Sequence, residues 1–384
     1  MKKILTLIIV LSIVSCGNSK TKKRAIIPDK SIVKGKVIEK VYCSGDSTQS
    51  YAIYVPKEYT EDKEWGIIYA FDSHAKGKLP VMKYKDLAEK YNLIIVGSNN
   101  SQNGTDPEVT NSYVKTMFDD TQSKLSIKKD EIYTLGFSGG ARVASTVALN
   151  NGGVKGVIGC GAGFPQLTKP IEQKFNFAGL VGNEDFNMLE LKNLDRQLNQ
   201  TQLKHMLIVF DGKHEWPPVN IMNDAIAFVK TGISKIVTKN QNNDDQREKA
   251  EMVEQQKYLS SFSSKDLKWW QGETSRVFKI INTTKNIDEK LMQKRLMNFC
   301  SLIAYMNASG SIKAKRLQEA ELYNEIYKMV DPTNSEHAYI AAQIYMLNGE
   351  DKKATESIKE AVKLGFDDFD RLKKDEILYK LNYK

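Results

Sequence analysis

The chain has 384 residues, 41% of them hydrophobic, and a formal net charge of +9. This length is sufficient for a large hydrophobic core and for two domains or more. The lysines are scattered and usually lie near acidic residues, and no basic run is interleaved with aromatic residues, so the charge indicates a solvated surface and argues against nucleic-acid binding.

The first sixteen residues carry a targeting signal. Lys2 and Lys3 precede a short apolar run, Ile4–Val14, which is too short to span a membrane. The run is followed by the small residue Ser15 and then by Cys16. This arrangement resembles the lipobox of bacterial lipoproteins, which implies that Cys16 becomes a lipidated first residue and anchors the chain in the cell envelope, at the periplasmic face or the cell surface. The alternative is plain secretion, with Cys16 incidental.

Residues 17–34 are polar and rich in lysine, which is typical of a flexible tether. Two alternating segments, Val33–Val41 and Ser50–Pro56, then predict half-buried strands joined by a turn near Asp46. Six apolar runs follow, separated by amphipathic helical segments: Gly66–Phe71, Leu93–Gly97, Glu131–Phe137, Val154–Cys160, Phe175–Gly182 and His205–Phe210. Such alternation predicts a mostly parallel sheet covered by helices on both faces, with the two leading strands at an antiparallel edge.

The second half of the chain is predicted to be helical. A polar segment, residues 233–248, reads as a linker, and residues 249–384 show helical periodicity. Small and apolar residues between 335 and 366 have the spacing of one tetratricopeptide repeat, namely Ala341, Ala342, Tyr345, Gly349, Ala354, Ile358 and Ala361. The resemblance implies a helix pair that could bind a protein partner, but a single repeat predicts no long superhelix. The alternative is a helical appendage with one helix–turn–helix.

The junction at Gly136-Phe-Ser138-Gly-Gly140 joins an apolar run to a helical pattern. Gly-x-Ser-x-Gly at such a place is the pattern of a nucleophile elbow, in which a hydroxyl is held at the tip of a sharp strand-to-helix turn. Small residues at positions 136 and 140 suit that turn. The helix that starts at Gly139 would direct N–H groups at negative charge forming beside Ser138. The alternative is an ordinary strand–turn–helix with glycines for packing.

A base and an acid follow at the ends of later predicted strands. Asp185 lies just after Phe175–Gly182, and His214 just after His205–Phe210, where ligands collect in open α/β sheets. Glu184 is a second candidate for the acid. Two other histidines fit less well: His205 precedes its strand, and His337 belongs to the helical part.

The chain order Ser138, Asp185, His214 and the eight predicted strands resemble the α/β-hydrolase fold over about residues 33–232. The predicted fold class is therefore α/β: a mostly parallel eight-stranded sheet in residues 35–232, without room for a cap insertion, followed by an all-α domain. The resemblance implies that Ser138 attacks a carbonyl, that His214 transfers the proton and that Asp185 orients His214. It implies one oxyanion donor at Gly139 and a second in the loop at Ser73 or His74, where many relatives carry His-Gly and this chain does not.

Substrate contacts are predicted at Asn99, Trp216 and Arg142, although a structural ion pair is an alternative for Arg142. Trp269 and Trp270 could cover the uncapped site, the alternative being that they pack between helices. The ending Tyr54-Val-Pro56 and the turn His214–Pro218 resemble feruloyl and acetyl-xylan esterases, polyhydroxybutyrate depolymerases and dienelactone hydrolases.

The expected function is that of an extracytoplasmic serine esterase acting on small-molecule or polymer esters such as carbohydrate esters, without a cofactor and without a metal site. Its rivals are a serine peptidase of the same fold and a non-catalytic surface scaffold that uses the helical repeat. Three cysteines remain besides Cys16, namely Cys43, Cys160 and Cys300. Because three is an odd number, at least one thiol stays free, and a disulfide between Cys43 and Cys160 is an alternative that the sequence does not decide.

Overall fold

A computed structural model describes residues 29–150, 152–167, 169–234, 245–379 and 381. The predicted signal peptide, with Cys16, and most of the predicted tether lie outside the described residues. The strands are β1 (Val37–Cys43), β2 (Asp46–Tyr54), β3 (Trp65–Phe71), β4 (Leu93–Ser98), β5 (Ile127–Phe137), β6 (Val154–Cys160), β7 (Asn176–Gly182) and β8 (His205–Phe210). Five helices alternate with them: α1 (Lys78–Tyr91), α2 (Pro107–Lys124), α3 (Gly139–Asn150), α4 (Met188–Leu198) and α5 (Val219–Thr231).

The eight strands form one sheet in the order β1-β2-β4-β3-β5-β6-β7-β8. The β1–β2 and β2–β4 pairs are antiparallel, and every later pair is parallel. All residues of β3 and β4 are buried, as expected for strands covered on both faces. This strand order with alternating helices is that of the α/β-hydrolase fold, and the predicted fold class is confirmed.

Two apolar cores lie on the two faces of the sheet. Helices α2, α3 and α4 cover one face, and α1 and α5 cover the other. The loop between β6 and β7, residues 161–175, contains no helix among its described residues, so the carboxyl edge of the sheet carries no cap at this crossover.

The remaining helices form the C-terminal part, which we call the helical region: α6 (Asp245–Ser264), α7 (Leu267–Thr283), α8 (Ile287–Lys313), α9 (Leu317–Val330), α10 (Ser335–Leu347), α11 (Asp351–Lys363) and α12 (Phe369–Lys374). It contains two apolar clusters, one of which buries Trp270 completely against Tyr258 and Phe262, and Trp269 packs on Trp270. The two tryptophans therefore pack between helices, and the hypothesis that they cover the site is wrong.

Helices α10 and α11 pack closely because Ala342, Ala354 and Ala361 leave no side-chain bulk between them. Their likeness to a tetratricopeptide repeat stays a prediction. No described helix has the length and apolar character that crossing a membrane requires.

Three local predictions need correction. The turn between the leading strands lies at residues 44–45, and Asp46 already belongs to β2. The predicted linker to residue 248 is too long, because α6 begins at Asp245. Helix α12 was not predicted, since six residues are too few to show helical periodicity.

Candidate active site

The turn between β5 and α3 places Ser138 at the carboxyl edge of the sheet. Its backbone has φ +55°, a left-handed conformation that few residues other than glycine adopt, and its N–H donates to the Cys160 carbonyl over 2.8 Å. Side chains at the flanking positions would not fit: a Cβ on Gly136 would overlap the Gly140 carbonyl, and one on Gly140 would overlap the Phe71 carbonyl. The sequence Gly-x-Ser-x-Gly is therefore required by the close approach of three backbone segments.

Two further side chains meet at the ends of β7 and β8. The His214 Nδ1 lies 2.9 Å from the Asp185 Oδ2, and the Asp185 side chain is 1% exposed. The second carboxylate oxygen, Oδ1, accepts the Asn187 N–H over 2.8 Å. A carboxylate can only accept, so Nδ1 carries the proton, and Nε2 of a neutral ring is left as an acceptor.

The position of His214 is fixed by packing beside the elbow. Its ring lies between Phe137, at a centroid distance of 4.7 Å, and Phe186, at 4.3 Å. Phe137 directly precedes Ser138. Behind the ring lies Gly161, with φ +63°, where a Cβ would come within 3.0–3.1 Å of both His214 and Asp185. The structure therefore brings the ends of β5, β6, β7 and β8 together around these side chains.

The alternative acid and bases point elsewhere. The Glu184 carboxylate pairs with Lys294 of α8, not with His214. His205 pairs with Asp195 over 2.8 Å on the other edge of the sheet. In the helical region, the His337 ring lies against the Pro332 carbonyl, and burial lowers its pKa.

The loop after β3 is organised by the Asp72 carboxylate. One of its oxygens accepts the backbone N–H groups of His74 and Lys76, at 2.9 and 3.4 Å, and the other accepts the Trp216 Nε1–H at 2.9 Å. The sequence named this loop without assigning a role to Asp72. Its carboxylate joins the loop after β3 to the loop that carries His214.

This arrangement distinguishes the two candidates for the second oxyanion donor. The His74 N–H is occupied by Asp72, and the His74 side chain is 71% exposed. The buried Ser73 has no hydrogen-bond acceptor for its N–H within the described part of the chain. Gly139, the first residue of α3, likewise has an N–H without an intrahelical partner. The geometry thus favours Ser73 over His74 beside Gly139.

Asn103 was missed from the sequence. Its backbone N–H donates to the Ser73 carbonyl over 2.9 Å, and its side-chain amide lies so close to Gly139 that a Cβ there would overlap it. The only sequence signal is that Asn103 lies in the polar loop after β4. Gly161 was also missed, although a glycine directly after a buried strand is a usual place for positive φ.

The predicted substrate contacts fall into two places. Asn99 and Trp216 line the same cavity of about 750 Å³, together with the apolar side chains of Leu79 and Met82. Arg142 lies outside this cavity: its guanidinium pairs with Glu190 over 2.7 Å and donates to a backbone carbonyl. The ion-pair alternative for Arg142 is thus what the structure contains.

The described residues contain no cluster of three or more His, Cys, Asp or Glu side chains that could hold a metal ion. All three cysteines there, Cys43, Cys160 and Cys300, are free and buried, which rules out the Cys43–Cys160 disulfide. Burial raises the pKa of Cys43 to about 11 and also raises the pKa of Cys160 well above its usual range, so these thiols are poor nucleophiles.

Comparisons with known proteins gave structural likenesses alone. No protein-family model matches the chain, and no curated protein matches it. The feruloyl esterase module from Clostridium thermocellum is 14% identical and has a TM-score of 0.44, over 56% of this chain and 97% of that one. The S-formylglutathione hydrolase of Staphylococcus aureus is 13% identical with a TM-score of 0.41, over 50% and 96%.

A fluorophosphonate-binding serine hydrolase of Staphylococcus aureus is 12% identical with a TM-score of 0.43, over 51% of this chain and 99% of that one. Each of these proteins is thus matched over nearly its whole length by about half of this chain. At such scores the fold assignment rests on the strand order itself, and no residue role is transferred from these structures.

Proposed function

We propose that the protein is a serine hydrolase that cleaves carboxylic esters through an acyl-enzyme. The observation that carries this proposal is the His214–Asp185 contact beside Ser138, on an elbow that only small flanking residues permit. Each of the three side chains follows the carboxyl end of a parallel strand, and the chain order is that of α/β-hydrolases.

The proposed reaction has two halves. In the first, the Ser138 Oγ attacks the ester carbonyl while His214 Nε2 takes its proton. The N–H groups of Gly139 and Ser73 stabilise the oxyanion, and the alcohol leaves with the proton from His214. In the second half, His214 takes a proton from water, the resulting hydroxide attacks the acyl carbon, and Ser138 is released with its proton restored. Asp185 keeps the proton of His214 on Nδ1 and stabilises the imidazolium.

We propose that the cavity lined by Asn99 and Trp216 receives an apolar or aromatic portion of the ester. Leu79, Met82 and Trp216 supply apolar walls for such a group, beside the charged lining residues Lys76, Lys78, Lys83 and Glu215. The described part of the loop between β6 and β7 carries no cap, which supports a site that also admits an ester on a polymer such as a polysaccharide. We further propose that the protein acts outside the cytoplasm and is held at the membrane by a lipid on Cys16. Fractionation of bacterial cells that produce the protein tests this proposal.

Labelling with a fluorophosphonate probe tests the proposed nucleophile. Such a probe reacts with an activated serine hydroxyl, so the wild type should be labelled and Ser138→Ala should not. Ser145→Ala, at a buried serine on the same helix, is the matched control and should keep its labelling. A panel of activated acetyl, butyryl and feruloyl esters then ranks the acyl groups. Equal labelling of the wild type and Ser138→Ala would remove the proposal.

A further inference from the structure

The loop that carries Asp185 is held by the helical region. Asn298 of α8 donates its Nδ2–H to the Glu184 carbonyl over 2.8 Å, and Arg295, one turn earlier, donates from Nη1 to the Asn183 carbonyl over 2.8 Å. Lys294 pairs with the Glu184 side chain. Three side chains of one helix thus contact the two residues that immediately precede Asp185.

Arg295 is itself fixed in direction. It is 7% exposed, and Glu251 of α6 binds it with both carboxylate oxygens, at 2.7 and 2.6 Å. A planar guanidinium held in this bidentate way cannot rotate, so its remaining donor stays directed at the Asn183 carbonyl. Because both charges are buried and each satisfies the other, this pair is a rigid support rather than a surface contact.

The same loop is bonded on its opposite side to the loop of His214. The Glu184 N–H donates to the Gly212 carbonyl over 3.0 Å, and the Asn183 N–H donates to the Phe210 carbonyl over 2.8 Å. Residues 183 and 184 therefore lie between α8 and the segment that carries His214. A shift of α8 would displace Asp185 relative to His214. The hydrogen bond between His214 Nδ1 and Asp185 Oδ2 would then lengthen or break.

A second contact holds the chain after Asp185. Glu248 of α6 pairs with Lys192 and Arg196 of α4, at 3.1 and 2.7 Å, and α4 begins three residues beyond Asp185. The helical region therefore contacts the polypeptide on both sides of Asp185.

We propose that Asn298 and Arg295 are positioning residues, through which the helical region holds Asp185 in register with His214. This inference rests on the proposed function, since it concerns the acid of the proposed triad. It gives the helical region a part in the reaction that a protein-binding repeat alone would not have. The Asn183 and Glu184 carbonyls accept these hydrogen bonds whatever the substrate. Loss of the bonds should therefore lower the turnover rate and leave substrate binding unchanged.

The test uses Asn298→Asp, which keeps the size of the side chain, removes the donor and directs a carboxylate oxygen at the Glu184 carbonyl. Removing Arg295 would leave Glu251 buried without its partner and endanger folding, so Arg295 is left unchanged. The matched control is Ser301→Ala, one turn along α8, which loses one hydrogen bond to Asp331 inside the helical region. All proteins are the full chain, measured with the best activated ester of the panel.

We expect Asn298→Asp to lower kcat by about tenfold or more with KM nearly unchanged, because small displacements of a catalytic group cost rate rather than binding. Ser301→Ala should keep the wild-type kcat. Asn298→His, which restores an N–H donor, should recover part of the rate.

The outcomes separate the two proposals. If the wild type is inactive and unlabelled, the proposed function fails. If the wild type is active and Asn298→Asp matches Ser301→Ala in kcat, the positioning role is overturned while the hydrolase stands. A rise in KM alone, at constant kcat, would also overturn it.

Discussion

At the scale of single residues, the site shows what spacing can and cannot predict. The order of Ser138, Asp185 and His214 and their places after apolar runs could be predicted, because parallel strands bring their carboxyl ends to one edge. The choice between Ser73 and His74 could not, because it depends on which N–H the Asp72 carboxylate accepts. A side chain that turns back on its own loop leaves no periodic signal in the sequence.

Gly161 leads to a prediction at this scale. A Cβ there would press on both His214 and Asp185, and φ +63° disfavours any residue with a side chain. Gly153, with φ +97°, shares the backbone strain but has open space around its Cβ position. We expect Gly161→Ala and Gly153→Ala each to lose about 1–2 kcal/mol of stability.

Only Gly161→Ala should lose activity, by about a hundredfold in kcat, because His214 and Asp185 must move to make room for the added Cβ. Chemical denaturation and ester turnover of both variants check the two expectations. Comparable loss of kcat in Gly153→Ala would mean that strain alone is responsible.

At the scale of elements, burial decided how well each segment could be predicted. Strands β6 and β8 have the bounds predicted from their apolar runs. Strand β5 begins four residues before the predicted start, because its first residues run out into the solvent, where polar residues pair as well as apolar ones. Strand β1 begins four residues later and ends two residues later than predicted. The start of α6 could not be located from hydrophobic periodicity, because its first turn is polar.

Glu131 on β5 links its strand to α5 and gives stability that depends on pH. It accepts hydrogen bonds from Lys128 and Lys230 at 2.6 and 2.8 Å. Burial acts to raise the pKa of Glu131, but these bonds and the two positive charges outweigh it and hold the pKa at about 2. The pKa is thus lower in the folded than in the unfolded chain, so the pair stabilises the fold above about pH 4.3 and the effect is lost as the pH falls towards 2.

We therefore expect Glu131→Gln to be less stable than the wild type by about 1 kcal/mol at pH 7, a value discounted for the partial exposure of the pair. The difference in the free energy of unfolding between the two proteins should be smaller at pH 3 and smallest near pH 2. Urea unfolding of both proteins at these pH values measures it. Asp130→Asn, at an exposed neighbour, is the control and should differ little from the wild type at any pH. An undiminished gap at pH 2 would contradict the ionic origin.

At the scale of the whole molecule, the contact between the two parts of the chain was beyond prediction. Helical periodicity in α8 predicts an apolar face, and that face is the one turned to α9 and its neighbours. The polar residues Lys294, Arg295 and Asn298 lie in the same helix. Their spacing in the sequence does not indicate that they contact the other part of the chain. Arg295 and Asn298 donate to backbone carbonyl groups more than a hundred residues away, which are the same in every sequence, whereas Lys294 pairs with the Glu184 carboxylate. An ion pair between the side chains of Lys76, after β3, and Asp368, at the start of α12, also joins the two parts of the chain.

The proposed attachment to the membrane also concerns the whole molecule. Residues 1–16 combine Lys2 and Lys3, a short apolar run and Cys16, and the remaining cysteines are buried in the two folded parts. A single acyl chain binds membranes only marginally, so stable attachment needs more than one chain on Cys16.

In cells of a bacterium that processes lipoproteins, we expect the wild type in the membrane fraction and Cys16→Ser in the soluble fraction after lysis, by immunoblot. Cys43→Ser, at a thiol buried in the apolar core on one face of the sheet, is the matched control and should stay with the membrane. Ester turnover should follow the protein into whichever fraction it enters, because residue 16 lies outside the proposed site. Equal membrane retention of Cys16→Ser and Cys43→Ser would leave Cys16 incidental and refute the anchor.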